Sequence, residues 1–295
     1  MKFKRIRKYQ TVDKSMKIIK TPSEMKEYSA KMHAMGKKIA LVPTMGALHQ
    51  GHLSLVKQAQ FCADICVMSI FVNPTQFGPN EDFAKYPRPI ENDIALAEAE
   101  NVDVLFIPEN SEIYFKDAST YVDEELISRN LCGKSRPKHF KGVATVVCIL
   151  FNIVNPDFAI FGEKDAQQIS VIRRMVRDLF MDTKIVAAPI VREKNGLAMS
   201  SRNAYLSSVQ MIDAVMLHAS LLKAKNLVAK GCTNVDRLIA ETTNHLSKSS
   251  QLRIIYVNAV DAETSLPVST VELGKTRIVM AVWVGTVRLI DNMVM

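Results

Sequence analysis

The chain of 295 residues lacks an apolar run long enough to cross a bilayer. Its longest, "GVATVVCILFNIV" at 142–154, is broken by Thr145 and Asn152 and falls well short of the ~20 residues that a span requires. It reads as a buried helix, and no membrane partner is expected. The basic opening, "MKFKRIRKYQTVDKSMKIIK", has no apolar h-region behind it, so it does not read as a secretory signal. Cysteine is scarce and odd in number: Cys62, Cys66, Cys132, Cys148 and Cys232 show neither a disulfide framework nor the paired spacing of a zinc site. A reducing, cytoplasmic setting is the expectation.

Charge of one sign is also missing from most of the chain, although the formal net charge is +8. The first twenty residues hold eight lysines and arginines against Asp13, a net of +7, which leaves +1 for everything that follows. A nearly neutral body lacks the electrostatic footprint of a protein that tracks a phosphate backbone, so no nucleic-acid partner is expected. Residues 1–16 read as a basic, solvated N-terminal extension, with Met16 as a second candidate start.

With 48% hydrophobic and 23% charged residues the chain can bury a sizeable core. Short apolar, β-branched runs recur at 38–43, 65–71, 102–108, 157–161 and 184–190, separated by stretches of helical spacing such as "GHLSLVKQAQFC" and "DAQQISVIRRMVRDLF". This alternation predicts an α/β fold, a Rossmann-like doubly wound parallel sheet. After about residue 190 two helical patterns (207–230 and 233–248) precede strand-like runs at 252–262, 276–285 and 286–291, which predicts a smaller C-terminal α+β domain. The expected division is 17–190 and 191–295.

Ligands of such sheets lie beyond the carboxyl ends of the strands, and three donor-rich segments fall there. "MGALHQGH" (45–52) follows a strand and opens a helix, where free N–H groups and the helix dipole favour an anion. It is neither G-x-G-x-x-G nor a Walker A loop. His49 and His52, at i and i+3, share one face of the first turn and can both donate to one phosphate. A metal pair and simple helix capping are the alternatives, and the missing carboxylate or cysteine argues against zinc. "FGEKDAQQ" (161–168) places Lys164 at a strand end, either as a phosphate contact or as a solvated loop lysine, with Asp165 as a helix cap. "GLAMSSRNAYL" (196–206) joins two hydroxyls to one guanidinium, a combination suited to a triphosphate but common in loops. Asn73 and Gln76 in "FVNPTQFGPNEDFAKYPR", and Arg136 and His139 in "SRPKHFKGVATVV", complete the polar candidates.

Taken together and in order, "PTMGALHQGHLSLV", "SIFVNPTQFGPNEDFAKYPR", "SRPKHFKGVATVV", "FGEKDAQQ", "VREKNGLAMSSRNAYL" and "VRLIDN" resemble the pantoate-beta-alanine ligase (pantothenate synthetase) family, from about residue 17 to the C-terminus. The resemblance implies a nucleotidylyltransferase-type Rossmann domain, a smaller C-terminal domain that covers the active site, and a homodimer. It implies ATP as co-substrate, Mg2+, and condensation of (R)-pantoate with β-alanine through a pantoyl adenylate, releasing pyrophosphate and AMP on the route to coenzyme A. Carried over by position, ATP would be bound by Met45, Gly46, Ala47, Leu48, His49, Gln50, Gly51 and His52. Gly162, Glu163, Lys164 and Asp165 would join them, with Val191, Met199, Ser200, Ser201 and Arg202. His52 takes the catalytic position. Gln76 and Gln168 would hold pantoate, Gln76 also β-alanine, with Asn73, Arg136 and His139 bordering the substrates. No residue of the chain is implied as a direct metal ligand. Ala166 stands where a bulkier residue is common, and Trp283 is unusual in the terminal strands.

Overall fold

The computed structural model describes residues 15–79 and 81–295, so residues 1–14 of the basic extension lie outside the described residues. The N-terminal part runs β1 (Lys17–Ile19), α1 (Pro22–Ala34), β2 (Ile39–Thr44), α2 (Gln50–Cys62), β3 (Ile65–Ile70), α3 (Ile90–Ala99), β4 (Val104–Phe106), α4 (Asn110–Ile113), α5 (Cys132–Ser135), α6 (His139–Val154), β5 (Phe158–Gly162), α7 (Ala166–Asp178) and β6 (Lys184–Ala188). Its six strands form one parallel sheet in the order β1-β4-β3-β2-β5-β6.

Both faces of the central strands β2 to β5 are buried, which is why these strands read as unbroken apolar runs. Along β2 the side chains alternate between two cores: Ile39 and Leu41 pack with α1, α6 and α7 through Met25, Val143, Val147 and Ile172. Ala40 and Val42 pack with α2 and α3 through Val56, Ala59 and Ala97. The long apolar run at 142–154 is α6, the most buried helix of the first core, as the sequence predicts. β1 was not expected. Three residues, "KII", two of them exposed, show no period to detect, yet they pair with β4 at the sheet edge from Lys17↔Val104 to Ile19↔Phe106.

The C-terminal part consists of α8 (Ser208–Ala229), α9 (Val235–Leu246), β7 (Leu252–Asp261), β8 (Thr276–Val284) and β9 (Val287–Val294). The three strands form an antiparallel sheet in chain order, and Leu217, Leu221, Leu238 and Leu246 of the helices bury against Ile278, Val282 and Leu289. Full burial of one such side chain contributes roughly 1.5–3 kcal/mol, so this cluster is a core in its own right. Ser207 and Gln210 start α8 with a reciprocal capping box. β9 is longer than the expected strand at 286–291, because its last residues continue the ladder with β8 to Arg277↔Val294. Trp283 lies on β8, where Arg253 of β7 stacks its guanidinium 5.7 Å from the ring centroid.

Candidate active site

Chain order reverses between the parallel neighbours β2 and β5: the connection after β2 runs to β3 toward one edge of the sheet, and that after β5 runs to β6 toward the other. Loops from their carboxyl ends therefore diverge and open a crevice. That crevice holds a cavity. Met45, His49, Gly51 and His52 reach it after β2, and Asn73 and Gln76 after β3. Gly162, Lys164, Asp165 and Gln168 reach it after β5, and Val191 with Met199, Ser200, Ser201 and Arg202 after β6. Arg136 and His139, from the turn between α5 and α6, close one side. Gly46, Ala47, Leu48, Gln50 and Glu163 stand off the cavity: Leu48 is core, and the others shape the backbone beside it.

The first loop is held by a residue that the sequence reading missed. Asp93 of α3, only 1% exposed, accepts the N–H groups of Ala47 and Leu48 at 2.8 Å each. Gly46 has φ +79, and a Cβ there would sit 2.8 Å from Asp93 Oδ2, so no other residue fits this turn. Burial pushes the Asp93 carboxyl up from its ordinary range, against the pull of the two backbone donors.

The loop ends in two histidines that cap α2. His49 Nδ1 accepts the Gly51 N–H at 3.1 Å, and His52 Nδ1 accepts the His49 N–H at 3.3 Å. A backbone amide can only donate, so each Nδ1 is the unprotonated nitrogen and each Nε2 carries the hydrogen. Capping and ligand donation, alternatives on sequence grounds, are thus compatible, one nitrogen serving each. Burial, with Lys164 nearby, pulls His49 down to about 4. Burial, His49 and Lys164 pull His52 down to about 3. Both rings are neutral N–H donors at neutral pH.

His139 is wired the other way round. Its Nδ1 donates to the Gln76 carbonyl at 2.9 Å, while its Nε2 accepts from Arg136 Nη1 at 3.1 Å, so neither nitrogen is left for a ligand. Burial, then Arg136, pulls it down to about 4. Asn73, 1% exposed, is equally occupied: its Oδ1 accepts from Thr75 and Tyr114, and its Nδ2 donates to the Gly142 carbonyl and to Gln76 Oε1. That last bond orients the Gln76 amide with Nε2 outward, where it meets only the weak acceptor Met45 Sδ at 3.0 Å. Gly142 permits the arrangement, since a Cβ there would lie 2.4 Å from the Thr75 carbonyl oxygen. Gln167 and Gln168 diverge around α7: Gln167 holds the 127–132 loop, and Gln168 faces the cavity with no hydrogen bond among the described residues.

The cations are not all free. Arg136 is gripped by Glu81 at 2.7 and 2.5 Å, and Arg202 by Asp82 at 2.9 Å on both Nε and Nη2. The charge expected from Arg202 is therefore shared with a carboxylate that sequence spacing did not connect to it. Tyr86 adds a hydroxyl 3.2 Å from Ser201 Oγ, so the 81–86 loop fastens to the Ser200–Arg202 turn at two points. Lys164 is the cation on the cavity without an ion-pair partner among the described residues. Val143, Val146, Val147 and Phe161 add apolar surface to the cavity.

A family model for pantoate-beta-alanine ligase matches residues 17–294. The chain belongs to the pantoate-beta-alanine ligase family. It is 53% identical over 280 residues to the pantothenate synthetase of Thermotoga petrophila, covering 95% of this chain and 100% of that protein. Among solved structures, pantothenate synthetase from Thermus thermophilus superposes with a TM-score of 0.89 at 40% identity, covering 94% of this chain and 99% of that one. Pantoate-beta-alanine ligase from Francisella tularensis, complexed with β,γ-ATP and β-alanine, gives 0.78 at 35% identity, covering 95% and 98%. Membership of this family agrees with the sheet order, the cavity at the β2–β5 switch and the five motifs that line it.

Proposed function

We infer that the chain condenses pantoate with β-alanine, driven by ATP, in this cavity. The observation that carries the reading is the pair of neutral imidazoles at the start of α2, with Nε2–H groups available and the unpaired Lys164 ammonium beside them. These donors would converge on the phosphates of ATP, with the Ser200 and Ser201 hydroxyls and Arg202 on the other side.

In the first step a pantoate carboxylate oxygen attacks the α-phosphorus and the bond to pyrophosphate breaks. Negative charge grows on the transferring phosphoryl group and on the leaving group, and His52 with His49, Lys164 and Arg202 would stabilise it. No protein nucleophile or base is required, because the carboxylate is already ionised at neutral pH. Gln76 and Gln168 offer amides for the pantoate hydroxyls and carboxylate, and the valine surface suits its two methyl groups. In the second step the β-alanine nitrogen attacks the acyl carbon, the C–O bond to AMP breaks, and the amine gives up a proton.

Among the described residues no cluster of three or more His, Cys, Asp or Glu side chains forms a metal cage. Magnesium generally arrives on phosphates with most of its waters and needs only one or two carboxylates. Asp165, exposed on the cavity and without an ion-pair partner among the described residues, fits that need. An ion held there would supply positive charge toward the departing pyrophosphate.

The division at 190/191, with the C-terminal part covering the cavity and keeping water from the acyl adenylate, belongs to the same reading. The Asp82–Arg202 and Tyr86–Ser201 links across the cavity mouth support it. A homodimer rests on the family resemblance, and a cytoplasmic setting on the unpaired cysteine pattern.

The test is AMP release with pantoate and β-alanine omitted in turn. Release that needs both, with pyrophosphate formation that needs pantoate alone, is the expected result. Pyrophosphate formation on a phosphate acceptor, indifferent to pantoate, would instead assign the site to nucleotidyl transfer.

A further inference from the structure

One dipeptide of β9 reaches the backbone of two loops that line the cavity. Asp291 and Asn292 are 2% and 3% exposed, and as strand neighbours they point to opposite faces. Asn292 Nδ2 donates to two consecutive carbonyls, those of Glu163 at 2.9 Å and Lys164 at 3.0 Å. Its Oδ1 accepts from Arg277 Nη1 at 2.6 Å. A guanidinium can only donate, so Arg277 fixes the orientation of the amide and leaves Nδ2 no choice but the carbonyls. Arg277, 6% exposed, also lies 3.6 Å from the Glu163 carboxylate. The peptide that carries Lys164 is thus gripped from behind by β8 and β9.

Asp291 does the corresponding work on the other face. It accepts both arms of Arg192, at 2.7 and 2.9 Å, and Arg192 donates on to the Gly196 carbonyl at 3.1 Å. That turn brings Met199 back to Val191, its N–H bonded to the Val191 carbonyl at 3.0 Å.

We propose that Asn292 is the positioning residue for Lys164: it fixes the Glu163–Lys164 peptide so that the ammonium is held beside the His49–His52 pair. The C-terminal sheet then contributes to adenylate formation through the placement of a cation as well as by covering the cavity. The proposal rests on the phosphate-binding reading of Lys164, and its test must separate the two.

A double-mutant cycle on the full-length protein does so, reading kcat and KM in pantoate-dependent pyrophosphate formation for Asn292→Ala, Lys164→Ala and the pair. The expected loss for Asn292→Ala is about 10- to 100-fold in kcat, with KM for pantoate within about twofold. In the Lys164→Ala background the same change should cost less than about threefold more, because its target is gone. Losses that multiply in that background would overturn the proposal and leave Asn292 a merely structural residue. Lys164→Ala activity within a few-fold of wild type would remove the premise itself. Should Asn292→Ala fail to fold, Arg277→Lys keeps a cation near Glu163 but loses the planar fork that orients the amide. The same non-additivity with Lys164→Ala is then expected, and multiplicative losses again overturn the idea.

Discussion

Asp82 accepts Nε and Nη2 of Arg202 at 2.9 Å each, joining the loop after β3 to the turn that opens the C-terminal part. The pair leaves Nη1 of the guanidinium uncommitted among the described residues. Asp82 therefore aims the fork as well as neutralising it. Both side chains are 27% exposed, which limits the interaction to about 1 kcal/mol, a factor of roughly five. Asp82→Asn should raise KM for ATP by about that factor, because a loosened Arg202 must be ordered by the nucleotide. A lower KM would show that Asp82 competes with the phosphates.

The two nitrogens of His52 can be tested apart. An asparagine amide oxygen occupies roughly the place of Nδ1, so His52→Asn should keep the cap on the His49 N–H and lose the Nε2–H. Turnover is expected to fall about 100- to 1000-fold, the scale for removing one charge-stabilising donor. The melting temperature should stay closer to wild type than that of His52→Ala, which loses a capping acceptor worth ~1 kcal/mol as well. Turnover of His52→Asn within a few-fold of wild type would rule out the donor role.

Three strongly depressed histidines make the fold acid-sensitive. His49, His52 and His139 titrate near 4, 3 and 4 when folded, against 6.5 for an unburied imidazole. Between those values the unfolded chain binds more protons, so stability rises with pH there. It should be fully present above about pH 7 and drain away as pH falls from about 6.5 toward 4, with a shallower slope for His139→Gln. Pyrophosphate formation, corrected for the ionisation of ATP, should show no loss as pH climbs through 6.5. A fall there would mean that imidazolium is the working form.

Gln168 is the amide on the cavity with no hydrogen bond among the described residues, whereas Gln76 is already braced by Asn73. Gln168→Ala should thus raise KM for pantoate by about 10-fold or more while changing KM for ATP less than about threefold, since a buried substrate hydroxyl left unpaired costs roughly 1–3 kcal/mol. Asn73→Ala should also raise KM for pantoate, by less than Gln168→Ala does, because it frees the Gln76 amide that Asn73 orients. Equal effects of Gln168→Ala on both substrates would take it out of the pantoate site.

What the sequence announced and what it hid follow one physical rule. His49, His52 and Lys164 closely follow the buried strands β2 and β5, and an apolar run ending in donors is a local signal. The central strands were legible because both faces are buried. β1 was not, since three residues beside lysines carry no period. Asp82, Asp93 and Asn292 act across the fold on backbone or guanidinium groups far away in the chain. Nothing adjacent to them says so. "ENDIALAEAE" reads completely as an amphipathic helix with acids in its first turn, which complement the dipole wherever they point.

Asp93 is where that hidden layer can be measured directly. It is the acceptor for the Ala47 and Leu48 N–H groups at the turn where Gly46 leaves no room for another side chain. Removing a buried acceptor strands each donor at roughly 1–3 kcal/mol. Asp93→Ala should therefore destabilise the fold by about 2–4 kcal/mol, and the loop carrying His49 should drift from its place at the start of α2. The distinguishing expectation is kinetic. Pyrophosphate formation should fall by at least about 10-fold at a temperature where the variant is still fully folded, because displacement of catalytic groups by an ångström is enough to do so. Asp93→Asn should land between the two, its amide oxygen accepting one N–H while its own NH2 faces the other. A folded Asp93→Ala variant with wild-type turnover would show that Gly46 and the capped histidines hold the loop without the carboxylate.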